Sequence, residues 1–79
     1  MKLPRDMDAA ELIKALAHLG YRTVRQSGSH IRLQCDNPVH AITIPNHRPL
    51  RVGTLAAIFT EVAAQQKMDR DALIRLLLA

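Results

Sequence analysis

Aromatic residues are nearly absent: the chain holds one tyrosine, one phenylalanine and no tryptophan. Platforms that stack unpaired bases are built from aromatic rings, so an extended platform of that kind is excluded. The core must be aliphatic, made from Leu, Ile, Val and Ala. Cysteine is limited to Cys35. A disulfide framework is thereby ruled out, and a reducing compartment is expected. No apolar run approaches the roughly 18 residues that a spanning helix needs. The opening Met1-Lys2-Leu3-Pro4-Arg5 leads into polar residues rather than the apolar stretch of a signal peptide. These absences point to a soluble, cytoplasmic protein without membrane contact. Internal repeats, low-complexity tracts and linkers are also missing.

What is present is a chain of 79 residues with a 48% hydrophobic share. That length admits one domain, expected over 1–79, near the lower limit for a core without staples. Eleven Lys and Arg against seven Asp and Glu give a net charge of +4, which suits a polyanionic partner.

The first helix is announced by Asp8 as N-cap, with Glu11 three residues on in a capping-box spacing. Ala9, Leu12, Ile13, Leu16 and Leu19 follow at helical intervals, and Gly20 stops the run. Three strands are expected next. YRTVRQ is basic and β-prone, and HIRLQC alternates, with Ile31, Leu33 and Cys35 on one face. AITIP supplies the third strand, with Ile42 and Ile44 inward. A two-residue hairpin loop at Ser27-Gly28 would set Arg25 opposite His30 and Val24 opposite Ile31. It would also turn Arg22 inward opposite Leu33, a flaw in an otherwise clean pattern. After the loop NHRPLRVG, Thr54 is the expected N-cap of a second helix with the stripe Leu55, Ile58, Phe59 and Val62. Asp69 opens a third helix carrying Leu73, Ile74, Leu77 and Leu78, expected to close the core.

The order α-β-β-β-α with an added terminal helix is an α+β arrangement like that of double-stranded-RNA-binding domains. Both stripes must bury on one face of an antiparallel three-stranded sheet. The other face presents Arg25, His30, Arg32, Gln34 and Thr43 to solvent.

His30 stands out on that face. RNA is cut without a metal when its own 2′-hydroxyl is activated against the adjacent phosphate. A histidine can move that proton near neutral pH, and arginines such as Arg25 and Arg32 can hold the phosphate oxygens. Equally, His30 can be a turn-shoulder residue with no role. One-step cleavage needs a second acid–base group, for which His47 and His40 are candidates; His40 reads as a solvated loop residue. His18 lies on the polar side of the first helix. Ser27 and Ser29 suit a turn, and Ser29 is also a candidate RNA contact. Gly28 is the residue free to take a positive φ there. Lys2, Arg5, Arg48 and Arg51 are candidates for tracking phosphates. Histidine spacing fits no zinc site and Cys35 is expected inward, so neither a metal nor a cofactor is expected.

Taken together, AAELIKALAHLGY, VRQSGSHIRL, ITIPNHRPLRVGTLAAIF and DRDALIRLL resemble the HicA toxin family, small ribonucleases of bacterial toxin–antitoxin pairs. The carrying motifs are G-S-H, then P-x-H, then G-T-L, in that order and spacing. The resemblance implies an endoribonuclease acting on messenger RNA, neutralised by a HicB-type antitoxin. It implies His30 as the catalytic residue and Gly28 as the residue shaping its turn. Family loops are often richer in lysine than NHRPLRVG, where arginine supplies the charge. Two rival readings share the fold: an RNA-binding module that does not cut, and a domain whose open face binds only a protein.

Overall fold

The computed structural model describes residues 6–78, so the candidates Lys2 and Arg5 lie outside the described residues. Helix α1, Ala9–Leu16, continues as a 3-10 turn over Ala17–Leu19. Strands β1, β2 and β3 span Arg22–Ser27, His30–Asp36 and Val39–Pro45. Helices α2 and α3 span Val52–Gln66 and Arg70–Leu78. The sheet is antiparallel in the order β1-β2-β3. The expected α+β order, with its extra C-terminal helix, is therefore the observed one.

Local chemistry fixes the helix ends. Asp8 accepts the Glu11 amide proton at 2.9 Å, and the Asp8 amide donates back to the Glu11 carboxylate at 3.3 Å. That reciprocal pair satisfies two N–H groups that the helix itself leaves unbonded. Gly20 ends the first helical segment at φ 92°, where a side chain would be strained. The start of α2 differs from expectation. Val52 is its first residue and Arg51 occupies the cap position without a side-chain bond, so Thr54 lies inside the helix. The Leu55 amide already donates to the Arg51 carbonyl at 3.0 Å, which closes the first turn three residues earlier than the threonine signal suggested.

The core is aliphatic. Ile31, Leu33, Cys35, Ile42 and Ile44 from the sheet pack with Leu12, Leu16, Leu55, Phe59, Val62, Leu73 and Ile74 from the helices. Their strand neighbours Arg32, Thr43 and Asp36 are exposed, so the helices cover one sheet face and leave the other open. Helix α3 closes the core through Leu73, Ile74 and Leu77, while Leu76 stays 56% exposed. The Cys35 thiol is buried and donates to the Leu19 carbonyl at 3.3 Å.

One polar chain crosses the sheet–helix boundary. The Tyr21 hydroxyl lies 2.6 Å from His40 Nδ1, and His40 Nε2 lies 2.8 Å from Glu61 Oε2. The expectation of His40 as a solvated loop residue is thus corrected. It sits on β3 opposite Cys35, on the helix side, with its side chain only 9% exposed. An imidazole bearing its proton on Nε2 satisfies both contacts: it accepts from the tyrosine and donates to the carboxylate. Burial pushes the Tyr21 hydroxyl above its ordinary range; the Gln66 amide works against this, and Cys35 and Glu61 add to it.

A raised value means that the fold holds the phenolic proton more tightly than the unfolded chain does. The resulting contribution is complete below about pH 10, the ordinary tyrosine value, and is lost as pH rises towards the higher folded value. Tyr21→Phe loses the hydrogen bond to His40 and should be less stable at neutral pH; with no phenol to ionise, it should also show a shallower fall above pH 10. Urea midpoints measured across that range check it.

Candidate RNA-contacting face

The hairpin between β1 and β2 sets the geometry of the open face. Ser27 pairs with His30, so the two-residue loop is Gly28-Ser29 rather than Ser27-Gly28. Gly28 adopts φ 58°, and no non-glycine residue of the loop has a positive φ. A loop with glycine first needs a positive φ only at that glycine. The alternative loop would have required one at Ser27 as well, which explains the choice. A Cβ at Gly28 would meet nothing within 4 Å, so it is the positive φ and not crowding within the chain that favours glycine there.

This choice moves the register. Arg25 lies opposite Arg32, not opposite His30, and Gln26 lies opposite Ile31. Arg25 and His30 become diagonal neighbours on one face. Val24 is not a core residue: the pairing shifts between Thr23 and Arg25, which leaves Val24 in a β-bulge and 45% exposed. Beyond the bulge the faces of β1 exchange. Thr23 meets Leu33 and Arg22 meets Gln34 on the open face. The inward arginine of the sequence pattern therefore does not exist. Arg22 pairs with Asp36 at 3.0 Å in solvent.

His30 opens β2 and is exposed, flanked by Ser27 on one side and Pro45 on the other. Its ring has no hydrogen-bond or ionic partner among the described residues. Two strand positions on, the Arg32 guanidinium reaches across β3 and donates to Thr43 Oγ1 at 3.2 Å. The loop 46–51 is fastened to this end of the sheet. The Asn46 amide donates to the Ser29 carbonyl at 2.7 Å, so the loop carrying His47 abuts the turn that carries His30. The His47 backbone is held on both sides: its amide donates to Pro45 at 2.9 Å and its carbonyl accepts from Ala9 at 3.3 Å. Leu50 anchors the far end of the loop by burying its side chain and donating its amide to Met7 at 2.8 Å. His47, Arg48 and Arg51 are thus exposed side chains on a fixed backbone.

Ser29, His30, Arg25 and Arg32 gather at one end of the open face, with His47 on the loop beside it. Arg48 and Arg51 follow on that loop, both exposed. Sequence reasoning missed the polar chain through His40 because its tyrosine, histidine and glutamate are far apart in the sequence. No three His, Cys, Asp or Glu side chains among the described residues converge as a metal site would require. No helix of the described residues is long and apolar enough to cross a membrane.

Residues 9–65 match the family described as HicA toxin of bacterial toxin–antitoxin systems. The chain belongs to the HicA toxin family. The match spans α1 through most of α2, and so includes the G-S-H turn, the P-x-H loop and the G-T-L helix start. No curated protein sequence and no solved structure matches the chain significantly. Membership in a toxin–antitoxin family implies an RNA target and an antitoxin partner.

Two arginines placed directly across a strand pair repel one another. Exposure and salt weaken that repulsion, leaving a cost on the order of a few tenths of a kcal/mol. Arg25→Gln should therefore be slightly more stable than the wild type in low salt and indistinguishable from it near 1 M salt. Thermal midpoints at the two salt concentrations check this.

Proposed function

We propose that this HicA-family toxin is a metal-independent endoribonuclease that cleaves messenger RNA, with His30 as its proton-transfer residue. The observation that carries the reading is the exposed His30 beside the facing Arg25–Arg32 pair. The two arginines rise from facing strand positions, with the Arg32 guanidinium turned towards Thr43, and a pair of cations so placed suits an anion such as an RNA phosphate.

In this mechanism the imidazole of His30 takes the proton from the 2′-hydroxyl. The hydroxyl oxygen attacks the adjacent phosphorus, and the 5′-oxygen of the next nucleotide leaves. Arg25 and Arg32 neutralise the charge that builds on the non-bridging oxygens. The leaving oxygen needs a proton, for which His47 is the second group, since its loop is tied to the Ser29 carbonyl. Ser29 contacts the backbone of the RNA at the turn, and Gly28 gives that turn its shape. Arg48 and Arg51 track neighbouring phosphates. A HicB-type antitoxin neutralises the toxin by covering this basic face, and acidic groups on it would complement the charge.

One observation favours a second reading, an RNA-binding module that does not cut. A catalytic base is commonly oriented by a further group, and the His30 ring has none among the described residues.

His30→Ala separates the two. Induced in a bacterial culture, the wild type should halt growth and fragment messenger RNA, while His30→Ala at equal soluble level does neither yet still binds RNA. Equal toxicity of the two proteins would reject proton transfer by His30. For the loop cations, Arg48→Glu with Arg51→Glu should flatten the log–log salt dependence of RNA binding by roughly 0.7 for each phosphate no longer neutralised. An unchanged slope removes them from the interface.

A further inference from the structure

The two edges of the sheet are treated differently. β1 carries a bulge at Val24 and exposes Arg22 and Arg25, features that discourage pairing with another strand. β3 has neither device. It pairs with β2 without interruption from Pro45 to Val39, and it contains no Asp, Glu, Lys or Arg.

The free backbone groups of β3 can be assigned. The Asn46–Ser29 bond puts that pair in the hydrogen-bonded class of the antiparallel ladder. Classes alternate along such a ladder, so Ile44, Ile42 and His40 bond to β2, while Thr43 and Ala41 turn their amides and carbonyls outward. Beside that edge runs a groove of about 430 Å³ between β3 and α2. Ile42 and Ile58 line it with the small residues Gly53 and Ala57, Thr54 adds a hydroxyl, and Glu61 stands among the lining residues. On the other face of β3, the Arg32 guanidinium reaches Thr43 Oγ1 and so leans towards the same edge.

We propose that β3 is a strand-addition site for an extended acidic segment of a partner protein. The segment continues the sheet beyond β3 through the outward groups of Ala41 and Thr43. Its alternate side chains divide between two environments. Small apolar ones enter the groove over Gly53 and Ala57, where Glu61 disfavours a second carboxylate. Acidic ones lie on the open face, where a carboxylate beside Thr43 meets Arg32. A second copy of this chain fits poorly. The open-face residues of its own β3 (Val39, Ala41, Thr43 and Pro45) include no carboxylate for Arg32, and Pro45 has no amide proton to give. That the partner is the antitoxin rests on the function proposed above; docking at β3 does not.

The test uses the full chain, isotope-labelled, titrated with a capped synthetic peptide alternating glutamate and valine, and separately with one alternating lysine and valine. The glutamate peptide should saturate, shift the amides of Ala41, Thr43, Gly53 and Ala57, and protect those of Ala41 and Thr43 from exchange. Ala41→Pro removes an amide that the fold itself does not use, a change edge strands tolerate. It should weaken the peptide about tenfold, as expected for losing one or two strand hydrogen bonds. Arg32→Gln should abolish the preference for glutamate over lysine, and it decides the matter if Ala41→Pro does not fold. Shifts confined to Arg25, His30 and the 46–51 loop would overturn the proposal, as would equal binding of the lysine peptide. Protection of Ala41 and Thr43 by self-association in the absence of peptide would also overturn it. No arm contains RNA, so these outcomes are independent of whether the chain is a nuclease.

Discussion

The hydrogen bond from the Asn46 amide to the Ser29 carbonyl extends the β2–β3 ladder one rung past the end of both strands. Without it the loop 46–51 would be tied to α1 and to the core but not directly to the G-S-H turn. With it, a local turn and a distant loop become one rigid edge. The bond depends on the hairpin having chosen Gly28-Ser29, because only then does Ser29 stand opposite Asn46 with its carbonyl turned towards β3. Glycine conformation, strand register and loop position are in this sense a single constraint.

The helical side supports that edge from beneath. The loop also closes against α1 through Ala9 and against the core through Leu50, so the first amide of the helix finds its acceptor in the loop. At the opposite end of the sheet the Tyr21–His40–Glu61 chain joins the segment before β1, the start of β3 and the middle of α2. A small aliphatic core gives non-directional cohesion. The polar chain adds directional bonds that hold α2 in one position against the sheet, at a boundary where packing alone would allow sliding.

Much of this was legible in the sequence. The capping box at Asp8 and Glu11, the alternation of Ile31, Leu33 and Cys35, and the stripe of α2 are local patterns whose period reveals their partners. Proper reading of the candidate face was harder. The arginine at position 22 looked misplaced because a strict two-residue period was carried through Val24, where the chain inserts a bulge. A bulge leaves no compositional mark; its trace was the misfit itself. The partner of Arg25 changed for a separate reason, the one-residue shift of the hairpin loop to Gly28-Ser29. His40 was misread for a different reason: its partners come from a helix terminus and from α2, and no spacing rule joins positions 21, 40 and 61.

The bulge at Val24 has one more consequence. Growth of a β-sheet into a fibre needs two pairable edges on every unit, one to accept and one to offer. Here one margin is kinked and cationic while the other is regular and neutral. A unit of this shape can be capped once, and the capped object presents its own kinked margin to the next molecule. Assembly through the sheet is therefore self-terminating, which suits a protein that must form a finite complex rather than an open-ended aggregate.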